Sequence, residues 1–86
     1  MLDRPSIVCR VVRPIATPIA ADPGDTLVGW PGHPTHTLAV VSPRQTVRRT
    51  RFVPDGVLYG ALLELYLDGK IRLAVASQRH LLTQQR

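Results

Sequence analysis

Eighty-six residues make one domain with a small core, in which a substantial share of the apolar surface stays near the outside. A hydrophobic content of 44% and a near-zero mean hydropathy exclude a disordered basic tail, and no window is long and apolar enough to span a bilayer. The net charge of +5 rests on ten arginines and the single Lys70, which favours solubility and attraction to anions, while the lone Cys9 excludes an intrachain disulfide and a thiolate metal site.

In chain order, Asp3, Arg4 and Pro5 stand where a secretory signal would need a basic patch and then an apolar run, so no targeting segment is expected. Residues Ser6 to Arg13 are β-branched and alternate, with Ile7, Cys9 and Val11 on one face and Val8, Arg10 and Val12 on the other. This is a strand. From Pro14 to Ala21 two prolines remove ladder donors and push their predecessors to extended conformations, which predicts an irregular edge or an arched loop. Asp22-Pro23-Gly24-Asp25 is a turn.

Thr26 to Trp30 and His36 to Val41 read as two further strands, joined through Pro31-Gly32-His33-Pro34-Thr35 as a hairpin. Trp30 shares its strand face with Val28, which favours a core position. Thr46 to Val53 is a fourth strand. It places Arg48 with Phe52 on one side and Arg49 and Arg51 with Val47 and Val53 on the other, a poor alternation for a buried strand, so it belongs at an edge.

The firmest element is a helix over Asp55 to Asp68, with Asp55 as N-cap and Gly69 as its stop. At 100° per residue, Leu58, Ala61, Leu62, Leu65 and Tyr66 share one face with Tyr59 at its margin. Leu63 and Leu67 lie almost opposite. They need a cover, either a loop or tail of the chain itself or a subunit or partner. Ile71 to Val75 then resumes a strand with Ile71, Leu73 and Val75 facing in, and Ser77 to Arg86 forms a short helical turn or a frayed tail. The order implies an α+β fold: a small curled antiparallel sheet, or a partial barrel, of four or five short strands with one helix near 55–68. The strand and turn spacing resembles small SH3-like barrels at the level of fold only.

Chemistry has thin support. Cys9 lies on the apolar face of a strand, where cysteine behaves as a small buried hydrophobe. The acids Asp3, Asp22, Asp25, Asp55, Glu64 and Asp68 fall mostly at turns and helix ends, and Glu64 with Asp68 reads as a solvated edge. His33 and His36 flank Pro34-Thr35 and could converge on a metal with His80 or Asp25 as a distant third ligand, but zinc wants four donors. The reading favoured is histidines exposed on a loop. No catalytic residue, metal site, cofactor or small-molecule substrate is expected.

These features describe a non-catalytic structural or protein-interaction module that self-associates or joins a larger assembly, such as an adaptor or a virion-type accessory, in a cytoplasmic or virion-associated setting. Its expected partner-binding residues are Leu63, Leu67 and Tyr59, with the proline-rich loops. The alternative is a nucleic-acid-binding small barrel that uses Arg44, Arg48, Arg49 and Arg51, extended by Lys70, Arg72 or Arg79 if the strands lie side by side.

Overall fold

The computed structural model describes Pro5 and residues 7–73. Its elements are β1 (Ile7–Val11), β2 (Thr26–Trp30), β3 (Thr35–Val41), β4 (Val47–Pro54), α1 (Asp55–Leu67) and β5 (Ile71–Leu73). The strands form one antiparallel sheet in the order β4-β3-β2-β1-β5, so the last strand returns beside the first. The sheet does not close into a barrel. The fold is therefore a small α+β unit with a curled sheet, open at β4 on one side and β5 on the other. The readings that fall on Ser6 and on residues 74–86, including Val75, Arg79 and His80, lie outside the described residues.

Strict alternation builds the core. Ile7, Cys9 and Val11 of β1, Leu27 of β2, Leu38 and Val40 of β3, Val53 of β4 and Ile71 of β5 turn to one face and are buried. The helix lies on that face with Leu58, Tyr59, Leu62 and Leu65 against them. Each fully buried leucine contributes roughly 2 kcal/mol relative to exposure. The arch from Pro14 to Ala21 closes one end of the core: Ile15 and Ala21 exchange two backbone hydrogen bonds of 3.0 Å, and Ile15, Ile19 and Ala21 are buried beneath it.

Trp30 departs from expectation. It is half-buried on the outer face with Val28, while Leu27 and Gly29 face the helix. Space explains the inversion, because a Cβ on Gly29 would stand 3.3 Å from the Ile7 Cβ and 3.5 Å from a Leu38 methyl. The inner position next to Leu27 is already filled by its neighbours.

The helix ends differ too. Pro54 occupies the cap position with no side-chain cap bond, and Asp55 is instead the first helical residue, its carboxylate turned to His36. At the other end Gly69 takes φ +72°, its amide donates to Tyr66 O at 3.1 Å, and Lys70 N donates to Leu65 O at 2.9 Å. That pair of bonds is a Schellman stop, and it needs a residue at ease in the left-handed region.

Candidate interaction surfaces

His36 lies on the inner face of β3 and is 2% exposed, not on the loop surface. Its Nδ1 meets Asp55 Oδ1 at 2.5 Å and its Nε2 meets the Tyr59 hydroxyl at 3.1 Å, with the two rings edge-on at 5.4 Å. A carboxylate only accepts, so in the neutral ring Nδ1 carries the proton and Nε2 accepts from the tyrosine. This carboxylate, imidazole and hydroxyl set resembles a nucleophile relay in order, but Tyr59 is buried at 8% exposure. Its effect is to clamp the start of α1 onto β3. His33 is exposed on the hairpin loop, apart from His36, and no group of three metal-ligating side chains exists among the described residues.

Tyr59 is thereby removed from the expected contact surface, because burial and the His36 bond hold it inside. Leu63 is half-buried and packs against the core, and Leu67 alone of the three is widely exposed, at 69%. The second apolar strip on the helix is narrower than its leucine count suggests. Glu64 and Asp68 are exposed.

The arginine run is divided by geometry. A β-bulge between Val40 and Val41 lies opposite Arg48, whose Nη1 donates to Asp25 Oδ2 at 2.9 Å and to Asp22 Oδ2 at 3.3 Å. Asp25 is buried and also accepts from the Asp22 amide at 2.9 Å, so this pair locks the turn before β2 onto β4. Arg51 Nη1 donates to the Pro18 carbonyl at 3.1 Å, tying the arch to the same strand. Arg44 and Arg49 are exposed and make no ion pair among the described residues. Arg72 does not extend this group: β3, β2 and β1 separate β5 from β4, and Arg72 sits directly opposite Arg10 on the outer face.

Two surfaces remain. The first is the outer sheet face, where Val8, Val28 and Ala39 form one cross-strand row and Trp30, Thr37 and Phe52 the next. No described acid lies within a strand.

The second is β4 itself. Its outer side pairs with no described strand, and every residue but Val53 is exposed. Beside it runs a cleft of about 350 Å³, lined by Arg51, Phe52, Val53 and Pro54, by Thr17 and Pro18 of the arch, and by Val57 and Ala61 of α1. Consecutive strand residues point to opposite faces, so four in a row can line one cleft only where it follows the strand's edge. Phe52 and Val57, 69% and 59% exposed, are the largest apolar groups there.

Sequence reasoning assigned none of Pro18, Val57 or Ala61 to a contact surface with β4, since the first belongs to the arch and the other two to α1, and only the tertiary fold brings them to that strand. The available signal was Phe52, an aromatic on a strand already assigned to an edge. No family model matches the chain, and comparison with curated proteins and with solved structures likewise finds no match.

Proposed function

We propose that this protein is a non-catalytic interaction module that joins another protein chain along the β4 edge. The observation that carries this reading is the coincidence of an eight-residue edge strand with an apolar cleft along the same edge. An edge offers a row of backbone donors and acceptors, and a neighbouring pocket adds side-chain selectivity; together they are what strand addition requires. A non-catalytic role is supported by the buried state of Tyr59 and His36, and by Cys9, whose thiol is pushed up to about 12 by burial and so stays protonated.

Selection from a displayed library of random extended peptides tests the reading. The wild-type protein enriches a set of sequences, and a folded Phe52→Lys, Val57→Lys double variant fails to retain them. Enrichment of the same sequences by both proteins, or of none by either, contradicts the proposal.

A second reading, single-stranded nucleic-acid binding, is favoured by the outer face. Arg10 and Arg72 stand opposite one another there, and Trp30 and Phe52 share a row two strands apart, roughly 10 Å, a spacing on which unstacked bases can rest. It uses Arg10 and Arg72 instead of the run from 44 to 51.

A further inference from the structure

We infer that the segment taken up by β4 is an acidic, extended peptide, added antiparallel or parallel as a sixth strand with an apolar side chain seated in the Phe52–Val57 cleft. This deepens the strand-addition reading and rests on it.

Three observations select this occupant. First, β4 carries Arg48, Arg49 and Arg51 and no acid; Asp22 and Asp25 offset Arg48, so an added strand meets positive charge at Arg49 and Arg51. Opposite charges across a strand pair stabilise it and like charges oppose it, each by roughly 0.2–1 kcal/mol. Second, that charge excludes a second copy of the chain as the favoured occupant. Joining β4 to β4 would set the arginines of one copy against those of the other. Third, two of these guanidiniums are already committed, Arg48 to Asp25 and Arg51 to Pro18, with their donors directed inward. Each thus has one nitrogen held by the fold, which leaves β4 fewer donors for the successive phosphates of a nucleic-acid backbone. What the edge offers freely is backbone hydrogen bonding, Arg49, and an apolar recess.

The remaining polar groups at the cleft agree with this. Asp55, the nearest carboxylate in sequence, is turned to His36, and among the described residues Arg51 is the only charged side chain lining the recess. Along an added strand alternate residues turn to each face: the helix-facing set lies beside Arg49, Arg51 and the recess, where an acid meets the guanidiniums and an apolar residue meets Val57, while the other set passes Phe52.

A titration followed by amide chemical shifts and by fluorescence polarisation tests the assignment. The probes are a labelled peptide repeating two glutamates and two valines, so that each strand face carries both, its lysine-for-glutamate counterpart, the glutamate peptide N-methylated at alternate backbone amides, and oligodeoxythymidine. The expected result is saturable binding of the glutamate peptide with shifts concentrated in β4, and affinity lower by roughly tenfold or more for the lysine and N-methylated forms. Arg49→Glu lowers affinity for the glutamate peptide by a similar factor, and so does Val57→Glu, which places a like charge in the recess; Arg13→Glu, a matched charge change at an exposed site away from β4, does not.

Equal binding of the lysine peptide, retained binding of the N-methylated peptide, or β4 shifts produced by oligodeoxythymidine in preference to the peptide each overturn the assignment. The outcomes separate the two levels. If library selection yields cleft-dependent peptides without acids, strand addition stands and the acidic occupant falls; if it yields no cleft-dependent peptide, both fall.

Discussion

Cys9 is wholly buried between sheet and helix, and burial alone pushes its thiol from 9.0 up to about 12. The folded state therefore holds the thiol proton more tightly than the unfolded chain does. Its contribution to stability is complete below about pH 9 and is lost progressively as the pH rises toward 12, at no more than ~1.4 kcal/mol per pH unit. Chemical denaturation across this range checks it: Cys9→Val, which cannot ionise, shows a shallower alkaline loss than the wild type. Identical slopes would mean that the thiol is not sequestered.

At the same scale, the inward face of β1 was legible because Ile7, Cys9 and Val11 alternate cleanly with Val8, Arg10 and Val12. His36 was not, because its burial depends on a carboxylate and a hydroxyl from a helix nineteen or more residues later. A histidine beside a proline-rich loop reads as exposed unless those partners are known.

Strand β4 shows how one irregularity redistributes charge. Without the bulge at Val40 and Val41, simple alternation sets Arg48 on the outer face with Phe52; with it, the guanidinium reaches the buried carboxylate of Asp25. Neighbouring arginines in sequence thus differ in role. Arg48→Ala leaves Asp25 buried with one charged partner fewer and lowers stability by about 2 kcal/mol, whereas Arg49→Ala stays within about 0.5 kcal/mol of the wild type. Thermal denaturation of the two variants decides it. A pair of equal melting temperatures would show that the Asp25 contact adds nothing.

The helix was the most legible element, since its apolar spacing and Gly69 stop follow from local rules. Its start was less so: Asp55 has the residue type of a cap, but Pro54 holds that position and the carboxylate is drawn to His36. Leu63, placed by periodicity almost opposite the buried stripe, packs against the core instead. The core wraps farther around α1 than a flat sheet would, leaving Leu67 as the outlying leucine.

For the molecule as a whole, strand count, edge placement of β4 and the return of β5 could be anticipated from the order of periodic segments. The sheet's openness could not, because whether β4 and β5 meet depends on curvature. Nor could the cleft, which forms where an arch, a strand end and the first turns of a helix converge. No described helix is long and apolar enough to cross a membrane. Among the described residues the topology leaves one long edge unpaired, with Arg49, Arg51 and a recess beside it, and the proposed function depends on that edge being available.

Amide hydrogen exchange of residues 47–53 in the free protein tests this availability most directly. The account predicts an alternating pattern: amides bonded to β3 exchange slowly, those directed away from it exchange at nearly the rate of an unstructured chain, and bound peptide slows the second set. Uniform slow exchange along β4 before any peptide is added would contradict it, since the edge would then already be covered.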